Sequence, residues 1–232
     1  MQDRRRKILK SVIKEYRRTG QPVSSQGLFD RYRFDFSPAT VRAEMLALDD
    51  EGYLEQPHTS AGRLPTDKAY RFFIEEFYDE SLSHDEKEEV RQRMEQLRQN
   101  SLREMAQFLA DCTRSLAISG SFGRLVDFHE AGLKWLAEEP QSDENDLREM
   151  LRYFDSMEED FNKFFGDIEE EVKIFIGREN PIKYLRNYSL VITGFEDEDE
   201  KMIFGVIGPK RMDYRKNMFV LEEAKKKIKN RQ

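Results

Sequence analysis

Residues 37–71 read SPATVRAEMLALDDEGYLEQPHTSAGRLPTDKAYR, and this stretch decides the reading of the N-terminal part of the chain. Ser37 can accept from the free amides at a helix start, and Pro38 fits the first helical position, where no amide hydrogen is needed. Val41, Met45 and Leu48 recur at helical spacing, which predicts a helix from Ser37 to Glu51 that stops at Gly52. The run Gly52–Arg71 then predicts a strand, a polar hairpin and a second strand. Gly62 permits a tight turn there, and Arg63 is expected near the tip. Thr66 opens a further amphipathic helix that carries Tyr70, Phe73, Ile74 and Phe77.

Upstream, Arg4 to Arg18 place Ile8, Leu9, Val12, Ile13 and Tyr16 on one stripe of a basic helix. Thr19-Gly20 ends it, and Ser24 or Ser25 caps a short helix through Tyr32 that buries Leu28 and Phe29. Three helices followed by strand, hairpin and strand read as a winged helix-turn-helix. Ala39, Thr40, Arg42, Ala43 and Glu44 fall on the faces of the third helix away from its apolar stripe. Small side chains let a backbone approach the major groove, and Arg42 can reach a guanine edge or a phosphate. It can equally pair with Glu44 or Asp35. Glu44 could accept from a cytosine amine or repel the DNA backbone. In the hairpin, His58, Thr59 and Ser60 offer hydrogen bonds and Arg63 offers charge to phosphates or a narrow minor groove. The expected DNA-binding set is therefore Ser37, Ala39, Thr40, Arg42, Ala43, Glu44, His58, Thr59, Ser60 and Arg63.

Net charge is −7 over 232 residues, which by itself argues against a polyanionic partner. The distribution argues otherwise, because Arg4, Arg5, Arg6, Lys7, Lys10, Lys14, Arg17 and Arg18 are opposed in their own run only by Glu15. A single cysteine, Cys112, excludes an intrachain disulfide, and with only three scattered histidines beside it argues against a zinc site. No apolar run approaches the ~20 residues of a membrane span, so a cytoplasmic, nucleoid-associated protein is expected. No nucleophile–base constellation and no phosphate-binding loop occurs, so no enzyme, catalytic residue, metal or cofactor is expected. The turn Gly208–Tyr214 could receive an anion at a helix start; its simpler reading is a structural strand-to-helix turn.

Ser83 and Glu86 have capping-box spacing and open a long helical segment with Val90, Met94, Leu97, Met105, Phe108, Cys112 and Leu116 on one stripe. That stripe is either a subunit seam or a face packed on the chain's own C-terminal part. Gly120 to Gly123 breaks the pattern, and a helical stretch follows from Asp143 to Phe165. Val172–Ile176, Ser189–Phe195 and Lys201–Ile207 read as strands, and a lysine-rich helix runs from Tyr214 to Ile228. The expected class is α+β. Its parts are a winged-helix domain over 1–80, a long helical connector and candidate dimer seam over 81–119, and an α+β domain over 120–232.

The run EGYLEQPHTSAGRLPTDKAYR closely resembles the wing of the bacterial heat-inducible transcription repressor family HrcA, and SPATVRAEM resembles that family's recognition helix. RRRKILKSVIKEYRRTGQPVSSQGL is similar to its first two helices, and IGRENPIKYLRNYSLVITGF with GVIGPKRMDY is similar to the end of its GAF-like domain. The resemblance implies a homodimer on an inverted-repeat operator (CIRCE in the family) upstream of chaperone genes. It also implies release on heat stress and help from a GroEL-type chaperonin. Family members are longer, and Leu116 here runs almost directly into FHEAGLKWLAEEP. Much of the GAF-like sheet and an inserted dimerisation domain are therefore expected to be missing. Ala43 stands where the family commonly has Asn, which can read adenine, so the operator is expected to differ. Two other classes fit the residues: a regulator gated by a small molecule in the reduced GAF-like domain, and an interaction protein that docks a chaperone.

Overall fold

Serine side chains start four of the helices in the same way. Ser24, Ser37, Ser83 and Ser101 each accept the backbone N–H three residues on, from Gly27, Thr40, Glu86 and Glu104, at 3.0 to 3.2 Å. At Ser83 the bond is reciprocated, since Glu86 accepts from the Ser83 amide at 2.9 Å. The structure, a computed structural model, describes residues 1–57, 62–77, 82–97, 101–138, 144–165, 170–197 and 200–229. The chain divides into two compact units, Met1–Asp79 and Glu80–Gln232.

In the first unit, α1 (Asp3–Thr19) buries Ile8, Leu9, Val12 and Ile13. It packs with α2 (Ser25–Arg31), α3 (Pro38–Asp50) and α4 (Asp67–Phe77). The stripe expected in α3 is real: Val41, Met45 and Leu48 are its buried residues. Between α3 and α4 lies a short antiparallel hairpin, β1 (Leu54–Glu55) and β2 (Leu64–Pro65), with Leu54 opposite Pro65 and Glu55 opposite Leu64. Thr66 then caps α4, its hydroxyl accepting from the Ala69 amide at 3.3 Å.

The second unit is built on a five-stranded antiparallel sheet in the order β4-β3-β7-β6-β5. Its elements are α5 (His84–Glu95), α6 (Leu102–Thr113), β3 (Leu116–Phe122), β4 (Val126–Ala131), α7 (Leu133–Ala137), α8 (Glu144–Arg152), α9 (Met157–Phe165), β5 (Lys173–Ile176), β6 (Tyr188–Asp197), β7 (Glu200–Pro209) and α10 (Tyr214–Lys229). This mixture of segregated helices and antiparallel strands is an α+β architecture. One face of the sheet presents Leu116, Ile118, Leu190, Ile192, Ile203 and Ile207 to a cluster with Met150, Met157, Phe161 and Phe165 from α8 and α9. A chain of rings runs through that cluster: Phe122 to Phe128 at 6.1 Å, Phe128 to Phe161 at 6.1 Å, and Phe161 to Phe165 at 5.3 Å between centroids. The other face carries Ala117, Ser119, Ser121 and Thr193 beside the larger Val191, Phe195, Phe204 and Val206, and α6 and α10 pack against these strands.

Two expectations need correction here. The continuous helix expected from Ser83 to Leu116 is instead α5, a fresh helix α6 capped by Ser101, and the opening of β3. Val90, Met94, Met105, Phe108 and Cys112 are buried inside this unit, so the stripe offered as a dimer seam goes into the unit's own core. The thiol of Cys112 is pushed above its ordinary pKa by burial, as a core thiol should be. The sheet is also fuller than expected, because the Leu116–Ala131 segment supplies a hairpin of two strands. β3 is buried along its whole length, so it lacks the alternation that signals a strand. Its Gly120 is required by packing, since a Cβ there would sit 2.9 Å from the Phe128 ring.

The C-terminal turns serve the fold. Asn180 is buried and its amide donates toward three backbone carbonyls, Gly177 at 3.2 Å and Leu185 and Tyr188 at 3.1 Å. That clamp shapes the path from β5 to β6. In the Gly208–Tyr214 turn, Tyr214 donates to the Lys210 carbonyl at 2.6 Å and Asp213 accepts from the Lys216 amide at 3.3 Å, capping α10. Phe161 lies at the centre of the ring chain, so Phe161→Ala should destabilise the second unit by about 3–5 kcal/mol. Urea unfolding followed by near-ultraviolet circular dichroism would measure it.

Candidate nucleic-acid interface

α3 has two opposed faces. Val41, Met45 and Leu48 face the core, and Ala39, Arg42, Ala43 and Leu46 are exposed on the other side. The helix is entered through the segment Arg31–Phe36, whose aromatic residues stack in sequence. Tyr32 lies 6.2 Å from Phe34 and Phe34 lies 4.9 Å from Phe36, with the Arg4 guanidinium 5.4 Å over the last ring. Ser37 is exposed and caps the helix. Thr40 is half-buried, its hydroxyl 3.0 Å from that of Ser37, so both support the helix start.

Among the described residues no ion pair or hydrogen bond engages the Arg42 guanidinium, and the expected alternatives at Glu44 and Asp35 are not realised. Glu44 is committed elsewhere. It accepts from Arg5 Nε at 2.9 Å with only 13% of its side chain exposed, and Arg5 also bonds Glu51. The bond to Glu44 raises the pKa of Arg5 above its ordinary value, which holds the pair charged. Glu44 therefore anchors α1 to α3.

The hairpin is tied back to the helices. Val23 and Arg63 form a β-bridge, the Val23 amide donating to the Arg63 carbonyl at 2.9 Å and the Arg63 amide to the Val23 carbonyl at 2.8 Å. Arg63 thus stands at the base of the hairpin rather than at its tip, only 18% exposed, with Nε 2.9 Å from a carboxylate oxygen of Asp49. That contact is an ion pair without hydrogen-bond alignment at Nε. The glycine beside it has a different reason from the one expected. A Cβ on Gly62 would lie 2.5 Å from the carbonyl carbon of Val23, so the close approach of two backbones, rather than a turn, demands glycine. His58, Thr59 and Ser60 lie outside the described residues.

The basic run of α1 is partly spent inside the unit. Besides Arg5, Arg6 approaches Glu76 at 3.4 Å, and Glu15 receives Arg18 at 2.6 Å and Arg31 at 3.1 Å. Three-dimensional pairing thus withdraws charge that the linear run counts as available. Sequence reasoning also missed Leu46, 52% exposed in the middle of the outward face. The signal was present, since Leu46 lies seven residues after Ala39 and opposite the buried stripe.

The family model described as HrcA protein C terminal domain matches residues 65–218. A heat-inducible transcription repressor HrcA from Natranaerobius thermophilus is 43% identical over 123 residues, covering 53% of this chain and 35% of that one. Another of that name from Moorella thermoacetica is 40% identical over 127 residues, covering 54% and 36%. The matched segments thus span about a third of the length of these relatives. A solved crystal structure described as that of a hypothetical protein is 20% identical with a TM-score of 0.80, covering 99% of this chain and 98% of that one, which establishes a shared fold. Adding a methyl at Gly62 should cost about 2 kcal/mol or more through backbone displacement. Thermal unfolding of Gly62→Ala would show this as a lowered transition for the first unit.

Proposed function

Because this chain belongs to the HrcA family, we propose that it is a transcription repressor that grips double-stranded DNA with its N-terminal unit. In this reading α2 and α3 form a helix-turn-helix, the β1–β2 hairpin is its wing, and α3 enters the major groove. The observation that carries it is the outward face of α3: small Ala39 and Ala43 beside an exposed Arg42 that pairs with none of the described residues, on a helix whose other face is core. Ser37 and Thr40 hold the helix start that faces the groove. His58, Thr59 and Ser60 belong to the wing that follows the phosphates. Arg63 contributes from the hairpin base and must first loosen its contact with Asp49 to reach DNA.

The finer reading follows the family. Two copies form a homodimer on an inverted-repeat, CIRCE-like operator upstream of chaperone genes, with half-sites about one helical turn, ~34–36 Å, apart. Heat shifts the protein to a non-binding state, and a GroEL-type chaperonin returns it to competence. The second unit is a GAF-like domain, and the protein works in the cytoplasm at the nucleoid. Gating by a small molecule gains no support from a sheet face filled by the chain's own aromatic rings.

Sequencing genomic fragments retained by the purified protein tests the proposal, which requires an enriched inverted repeat. Retention of no fragment at low salt would overturn it. Gel shifts on the enriched fragment should show Arg42→Ala binding about tenfold more weakly with relaxed base preference, the loss of one guanine contact of roughly 1–3 kcal/mol. Arg63→Ala should weaken binding evenly across sequences and shallow the salt dependence.

A further inference from the structure

The outward face of α3 carries an apolar side chain that the fold itself does not use. Leu46 is 52% exposed although Met45 beside it is 3% exposed, so position 46 points away from the core by the geometry of the helix. Ala39, Ala43 and Leu46 make one apolar strip that ends at the exposed Asp50, with Arg42 along its flank and Glu44 held by Arg5. The major groove offers such a strip one apolar group, the C5-methyl of thymine.

We propose that Leu46 is a specificity-determining residue that reads a thymine methyl in the major groove, adjacent to the guanine taken by Arg42. The inference rests on the DNA reading given above and deepens it. The spacing fits. Leu46 follows Arg42 by one turn, about 6 Å along the helix axis at 1.5 Å per residue. That distance is close to two steps of about 3.4 Å along a DNA strand. The half-site should therefore carry a thymine about two base pairs from the guanine. A second consequence concerns Ala43, whose methyl cannot hydrogen-bond a base. With the strip beside Arg42 apolar, sequence is read by one guanidinium and by methyl contacts rather than by a row of amide hydrogen bonds.

The test uses the full chain and a pool of random duplexes. The winning duplex is resynthesised with each thymine in turn replaced by deoxyuridine, which removes the methyl and leaves the pairing edge. Wild type should lose about fourfold in affinity at one position per half-site, the factor given by about 0.8 kcal/mol for one buried carbon group. Leu46→Ala should bind the thymine duplex about as weakly as wild type binds the uracil one, and should not distinguish the two. Indifference of wild type to every replacement, with binding still dependent on Arg42, would overturn the inference and leave the DNA reading standing. An equal loss for Leu46→Ala on both duplexes would also overturn it. So would a change in oligomeric state of Leu46→Ala by sedimentation with the uracil sensitivity intact, since the strip would then cover a second copy. Enrichment of no duplex removes the DNA reading, and this inference with it.

Discussion

The bridge between Val23 and Arg63 sets the geometry of the N-terminal unit, because two backbone hydrogen bonds there join the hairpin to the loop between α1 and α2. A two-residue pairing of β1 with β2 is too short to hold a hairpin at a defined angle by itself. The bridge adds a third strand position at its base, and Gly62 lets the chains come close enough for it to form. From the same place Arg63 reaches Asp49 on α3. Helix and hairpin are thereby related through one small region, and the proposed DNA grip requires that relation between them.

Ion pairs do comparable work on the other side of α3. Arg5 holds Glu44 of α3 and the Glu51 that follows it, so these two acids are paired with α1. What is exposed on the outward face is Ala39, Arg42, Ala43, Leu46 and, at its C-terminal end, Asp50. The basic composition of α1 and the charge of α3 are therefore coupled: positive charge spent inside the unit pairs Glu44 and Glu51. Net charge along the chain describes neither.

The second unit shows where pattern reading succeeds and where it fails. β6, β7 and α10 were legible because Ser189–Phe195 and Lys201–Ile207 carry dense β-formers around an acidic break, and the lysine-rich helix keeps its apolar period. β3 was not legible. Covered on both faces, it shows no alternation, and its Ser119, Gly120 and Ser121 read as loop chemistry until Phe128 and α6 are in place. The stripe from Val90 to Cys112 was visible, but its partner was not. A buried face looks the same in sequence whether it meets a second copy or the chain's own sheet.

Local, short-range chemistry was decided by the sequence alone. The caps at Ser24, Ser37 and Ser83, the core stripe of α3, and the arrangement of three helices and a hairpin follow from hydrogen-bonding capacity and helical period over a few residues. Tertiary structure decided which charged groups remain available, why Gly62 must be glycine, and where the stripe of α5 and α6 is buried. Each of these depends on residues dozens of positions apart being brought within a few ångströms. Arg5 meets Glu44 and Arg63 meets Asp49 only after the chain has folded, and only then does Leu46 become an exposed apolar residue with no core to join.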